Sequence, residues 1–253
     1  MVGNYVQIAD WPHFWLSEGF TEWTTIFNVL ETAGEPGMAK GLQDYYRQKA
    51  AESSYPASSN LPLPGPLRFD DEGDIMQQVM NNLLYFYYYG AAFLEMVDQR
   101  LQRDFATSLV PILQVWYEKF GGLPATTEDF LALLAEETGE TELWGQLFDQ
   151  WVYTGPAPTL ELSGYAFEDG EVSLTIARTG GADQDLSTLE VGFVAGDVVV
   201  LESVALPTGT DTVMVQATIP QQPTRIVIDP DGLYILRLET ETDFAGPSVE
   251  RML

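Results

Sequence analysis

Cysteine is absent from the 253 residues, and histidine occurs once, at His13. The first absence excludes a disulfide framework and any thiolate metal site, and it leaves the cellular compartment open. Basic charge is scarce as well: 11 Lys and Arg, only three of them lysine, stand against 38 Asp and Glu, for a net charge of -27. Such a chain is repelled by phosphate backbones and by anionic lipid surfaces, so nucleic acid and lipid headgroups are poor partners for it. A field of that sign favours substrates with a free amino terminus. It also serves as a solubility device of the kind expected in a salty habitat, and net charge speaks to solubility before it speaks to a site. No apolar run approaches the length of a transmembrane helix, and the first residues carry no basic segment followed by an apolar one.

What is present is core-forming material. With 45% hydrophobic and 12% aromatic residues, a chain of this length can bury one large or two medium domains. Residues up to about Tyr153 follow helical spacing. Phe20, Trp23, Phe27 and Leu30 recur on one face, with Ser17 expected as N-cap and Glu18 in the first turn, where the helix dipole favours negative charge. A polar helix is expected from about Met38 to Ala51. Four prolines and four serines then rule out regular structure from Ser53 to Pro66. Helices follow over Ile75 to about Arg100, Phe105 to Phe120 with Gly121-Gly122 as the stop, Thr126 to about Glu137 with its own capping residues, and Leu143 to Val152.

Thr154-Gly155-Pro156-Ala157-Pro158 ends the helical pattern as a short, stiff linker. Beyond it, β-branched segments alternate with turn signals: Thr159–Leu162, Glu171–Ala177, Leu189–Val194, Val198–Val204, Thr212–Thr218, Arg225–Ile228 and Leu233–Leu238. Short strands separated by Gly-Asp and Pro-Asp-Gly turns are expected to form an antiparallel β-sandwich. The expected division is thus a helical unit over 1–153 and a β-sandwich over 159–253.

Two motifs carry chemistry. The first is Trp15-Leu16-Ser17-Glu18-Gly19-Phe20, which follows Gly3-Asn4 and the aromatic stretch Trp11 to Trp15. The second is Tyr87-Tyr88-Tyr89-Gly90-Ala91-Ala92. With Thr126 to Phe130, Phe148-Asp149-Gln150-Trp151, the Gly155-Pro156-Ala157-Pro158 entry and Asp229-Pro230-Asp231-Gly232, they resemble the C-terminal part of the aminopeptidase N family of gluzincin zinc metallopeptidases, over nearly the whole chain.

The resemblance implies a fold: the helical C-terminal lobe of a thermolysin-like catalytic domain followed by a β-sandwich. It implies an activity, zinc-dependent hydrolysis of the N-terminal bond of peptide substrates. In the family the W-L-N/S-E-G-F glutamate is the third zinc ligand, a place held here by Glu18, and a tyrosine matching Tyr87 stabilises the oxyanion of the tetrahedral intermediate. Tyr85 and Tyr88 are alternatives in register, because Tyr89 stands where the family has lysine. Glu22, one turn beyond Glu18, is a candidate for orienting a ligand histidine, although many relatives carry their glutamate where Thr25 stands. By the same alignment the two zinc-binding histidines of HExxH fall upstream of Met1, so the 253 residues alone are expected to hold no zinc and to be inactive. His13 is not expected to be a ligand, since Pro12 and its aromatic surroundings keep it off the helix face of Glu18. The alternative reading is a non-catalytic binding protein derived from the peptidase fold.

Overall fold

The structure is a computed structural model describing residues 5–9, 13–25, 34, 36–53, 85–154, 157–181 and 184–251. Gly3-Asn4, Trp11-Pro12, Phe27, Leu30, the Pro/Ser-rich stretch after Ser53, the Ile75–Leu84 part of the expected long helix, and Gly155-Pro156 lie outside the described residues. The chain forms two compact units, 1–156 and 157–253.

Unit 1 contains β1 (Gln7–Ile8), α1 (Phe14–Trp23), α2 (Pro36–Ser53), a π-helical turn (Tyr85–Tyr89) running into α3 (Gly90–Phe105), α4 (Leu109–Phe120), β2 (Pro124–Ala125), α5 (Thr127–Thr138) and α6 (Thr141–Trp151). Its core is aromatic. Phe20 meets Phe130 edge-on at 5.0 Å and lies parallel to Trp116 at 6.0 Å, while Phe93 meets Phe148 at 5.2 Å. Edge-to-face packing of this kind adds to the gain from burying the rings. β1 and β2 pair in parallel, Gln7 opposite Pro124, and so tie the start of the chain to the α4–α5 connection.

Two helix boundaries differ from the sequence reading. Helix α1 begins three residues before Ser17, with His13 at the N-cap position, so Ser17 lies inside the helix and no acidic residue occupies the first turn. The single helix expected over Phe105 to Phe120 starts only at Leu109: Ala106 is left-handed at φ 51°, and Ser108 is extended. The Leu109 N–H, an orphan donor of the new helix, is taken by Asp98 Oδ1 at 2.6 Å from the neighbouring helix. A cap supplied from another helix leaves no mark in local sequence. Helix α5 does carry its own signal, a capping box in which Thr126 and Asp129 satisfy each other's backbone N–H groups.

Unit 2 is β throughout: β3 (Thr159–Glu168), β4 (Glu171–Gly180), β5 (Leu186–Ala195), β6 (Val198–Leu206), β7 (Thr212–Thr218), β8 (Arg225–Ile228), β9 (Arg237–Thr240) and β10 (Ser248–Arg251). They form two four-stranded sheets, ordered β10-β8-β5-β6 and β7-β4-β3-β9. Val172, Leu174 and Ile176 alternate with more accessible residues on β4, and Leu174 registers with the buried Val215 of β7, giving the period of two expected of a strand with one buried face. The sheets are mixed and not purely antiparallel, because β3 pairs with β9 and β8 with β10 in parallel. The strand expected over Leu233–Leu238 starts only at Arg237. Asp229, at φ 57°, takes the Leu233 and Tyr234 N–H groups on its two carboxylate oxygens, each at 2.9 Å, and so removes them from any ladder.

Candidate functional site

Glu18 and Tyr87, which lie far apart in sequence, stand on α1 and the π turn, two segments in contact, near enough for Glu18 to act on the Tyr87 phenol. Gly19 and Gly90, both buried, sit where the two segments touch. The π turn directs its aromatic side chains to different neighbours. Phe86 meets Phe14 of α1 edge-on at 5.7 Å, Tyr87 reaches Glu18, and Tyr88 turns to α2, where it meets Tyr45 at 5.9 Å and Tyr46 at 4.8 Å. An inserted π turn is a recurring device at functional sites, because it re-aims side chains within a continuous helix.

Both members of the pair are half-buried. The Tyr87 phenol is pushed up to about 12, first by burial, then by its hydrogen bond to the Glu18 carboxylate and by the charges of Glu18 and Glu22. A phenol in that state is a protonated donor throughout the neutral range. It can give a hydrogen bond to negative charge without acquiring charge of its own.

Glu22 lies one turn beyond Glu18 and accepts the Tyr46 hydroxyl on Oε2 at 2.6 Å. Burial, followed by that bond, raises the Tyr46 phenol well above the usual tyrosine range. Of the alternatives to Tyr87, Tyr88 is engaged with Tyr45 and Tyr46 on α2, and the side chain of Tyr85 lies outside the described residues. Nothing in the sequence pointed to Tyr46. Its helix registers there only as polar, and the Tyr45-Tyr46-Arg47 run was the available sign.

His13 sits against the start of α5. Its Nδ1 accepts the Thr127 backbone N–H at 3.0 Å and lies 3.0 Å from the Thr127 hydroxyl, whose oxygen in turn accepts Trp15 Nε1 at 3.0 Å. A nitrogen that accepts a backbone N–H carries no proton, so the ring is the Nε2–H tautomer. That bond satisfies an orphan donor in the first turn of α5.

Among the described residues, no group of three or more His, Cys, Asp or Glu side chains is placed to hold a metal ion. A catalytic zinc takes three protein ligands and leaves a fourth position for water. Glu18, the candidate ligand, offers a single carboxylate, which by itself does not fit a catalytic zinc. No described helix is long and apolar enough to cross a membrane.

No curated protein matches the chain. Among solved structures, aminopeptidase A of Legionella pneumophila in complex with aspartic acid is similar, with TM-score 0.51 and 14% identity over 93% of this chain, a likeness that shows fold alone. A substrate-bound mutant of an M1 zinc metallopeptidase from Deinococcus radiodurans is 27% identical over 59% of this chain, with TM-score 0.41. The chain spans 25% and 29% of the length of these two proteins. Residues 1–151, which contain α1, the π turn and the Glu18–Tyr87 pair, match the Peptidase family M1 domain, and the chain therefore belongs to peptidase family M1.

Proposed function

We propose that this chain is the part of a zinc aminopeptidase that supplies one metal ligand and the oxyanion donor, and that the whole protein hydrolyses the N-terminal bond of peptides. The observation that carries this reading is that Glu18 and Tyr87, both nominated by the family resemblance, stand on two segments in contact, with Glu18 close enough to act on the Tyr87 phenol. Residues 1–153 are read as the helical lobe of a thermolysin-like catalytic domain. Residues 159–253 are read as a β-sandwich whose two leaves are the two four-stranded sheets.

In this reading Glu18 is the carboxylate ligand, and the two histidines come from outside the 253 residues, since the chain has only His13. Zinc, when bound, would polarise a scissile carbonyl and acidify a coordinated water. What the chain's own residues do is narrower. Tyr87 donates its hydroxyl to the negative oxygen that forms as the carbonyl becomes tetrahedral, and Glu18 holds that hydroxyl in place beforehand. The family match supports this reading at the level of the family.

The test compares the full-length protein with the 253-residue chain for zinc stoichiometry and for hydrolysis of an aminoacyl p-nitroanilide. The full-length protein should hold one zinc and turn over, Glu18→Gln should lose both properties, and the 253-residue chain should show neither. Tight, chelator-sensitive zinc on the 253-residue chain, or full activity in Glu18→Gln, would overturn the assignment. A full-length protein that folds, binds no zinc and hydrolyses nothing would establish the non-catalytic binding alternative.

A further inference from the structure

Tyr46 and Arg47 are consecutive residues of α2; Tyr46 reaches both segments that carry Glu18 and Tyr87, and Arg47 reaches α3 beyond them. The Tyr46 hydroxyl donates to Glu22 of α1 at 2.6 Å, while its ring meets the Tyr88 ring edge-on, centroids 4.8 Å apart at 82°. Arg47 Nη2 lies 3.5 Å from Glu95 Oε1 of α3, and the other Glu95 oxygen accepts Trp23 Nε1, at the end of α1, at 3.1 Å. Arg47 and Glu95 are only 3% and 2% exposed. A buried ion pair gains little over apolar packing, so what such a pair most clearly provides is a defined geometry. The Tyr46–Glu22 bond is short and charge-assisted, which makes it directional as well.

We propose that Tyr46 is a positioning residue for the Glu18–Tyr87 site. From α2 it fixes α1 through Glu22 and the π turn through Tyr88, and so sets where the Tyr87 hydroxyl stands relative to Glu18. The Arg47–Glu95–Trp23 chain anchors the same helix one residue further along, so that Tyr46 acts from a fixed base. This inference rests on the roles proposed for Glu18 and Tyr87. It adds a residue on a third helix that touches neither of them.

A double-mutant cycle between Tyr46→Phe and Tyr87→Phe in the 253-residue chain tests it. All six tryptophans lie within residues 1–151, so tryptophan fluorescence follows the unfolding of unit 1 alone. If Tyr46 sets the Tyr87 position, removing the Tyr87 hydroxyl costs less once the Tyr46 hydroxyl is gone. The loss of Tm in the double variant should then fall short of the sum by about 2 °C or more. Glu22→Ala should reproduce that shortfall, and Glu22→Gln, which keeps an oxygen to accept the Tyr46 hydroxyl, should show less than half of it. In the full-length protein, Tyr46→Phe should lower kcat by about tenfold with KM changed by less than about twofold. Additive Tm losses, or equal behaviour of Glu22→Ala and Glu22→Gln, would overturn the positioning role directly. Non-additive losses combined with normal turnover in Tyr87→Phe would overturn it through the reading on which it rests, and so separate the two failures.

Discussion

Gly19 and Gly90 meet backbone to backbone: a methyl built on Gly19 would stand 2.9 Å from the Gly90 carbonyl carbon, and one on Gly90 would stand 3.2 Å from the Gly19 Cα. Gly19 follows Glu18 directly, and Gly90 closes the π turn that holds Tyr87. The absence of two side chains thus lets α1, which carries Glu18, and the π turn, which carries Tyr87, approach backbone to backbone.

Gly19→Ala should destabilise unit 1. Alanine is the better helix former by about 1 kcal/mol, but the atom in its way is backbone and cannot rotate aside, and overpacking of this kind costs about 1–3 kcal/mol. Gly145 of α6 is the control, because nothing lies within 4 Å of a methyl placed there. Gly145→Ala should raise stability by about 0.5–1 kcal/mol. Urea unfolding followed by tryptophan fluorescence reads both, and a Gly19→Ala protein as stable as the parent would show that the two segments move apart freely.

Removing the His13 ring should weaken the start of α5 without touching metal affinity. His13→Ala leaves the buried Thr127 N–H without its acceptor, a loss of about 1–3 kcal/mol. His13→Asn, which can offer a side-chain oxygen near the same position, should recover part of it. Hydrogen exchange at Thr127 would report the change locally. Loss of zinc from a folded full-length His13→Asn protein would mark His13 as a ligand after all.

Tyr87→Phe in the full-length protein should reduce kcat on the order of a hundredfold and leave KM nearly unchanged. The hydrogen bond it removes strengthens only as the oxyanion forms, and one such donor is worth about 3 kcal/mol. Steady-state kinetics on an aminoacyl substrate decide the point. Near-normal turnover would place the donor elsewhere, with Tyr88 the next residue to substitute.

Acid stability should depend on the Tyr153–Glu128 contact, in which the phenol donates to Glu128 Oε1 at 2.7 Å. Burial pushes the Glu128 carboxyl up, but hydrogen bonds from the Tyr153 hydroxyl, its own backbone N–H and the Thr126 hydroxyl outweigh burial and hold it below the usual carboxylate range. A carboxyl depressed in the folded state contributes stability above its unfolded pKa and loses it as pH falls through the folded value. Tyr153→Phe should therefore lower stability at neutral pH and move the acid unfolding midpoint upward. An unchanged midpoint would mean that this bond does not form in solution.

Much of the molecule was legible from sequence where the signal is local. The Thr126–Asp129 capping box, the Gly121-Gly122 stop and the full extents of β7 and β8 each follow from residue types in the local sequence. The errors fall where a distant group takes over a backbone donor. Asp98 caps Leu109 from another helix, and the Asp229 carboxylate withholds Leu233 and Tyr234 from a strand that their β-branched and aromatic neighbourhood favours. The final strand, Ser248–Arg251, is short and polar, and it exists because β8 offers a parallel edge to pair with.

For the site the division is sharper. Glu18 and Tyr87 could be nominated from sequence because the motifs around them resemble those of the aminopeptidase N family, which implies their roles. Sequence alone also determined that these 253 residues hold one histidine and no cysteine, and so neither an imidazole pair nor a thiolate site. Only the tertiary structure decided that Tyr87 and not Tyr88 turns toward Glu18, that His13 serves the Thr127 N–H, and that Tyr46 reaches Glu22. The reason is physical: a π turn, a glycine-on-glycine crossing and a buried Arg47–Glu95 pair set the directions of these side chains, and each arises from contacts between segments that the linear order keeps apart.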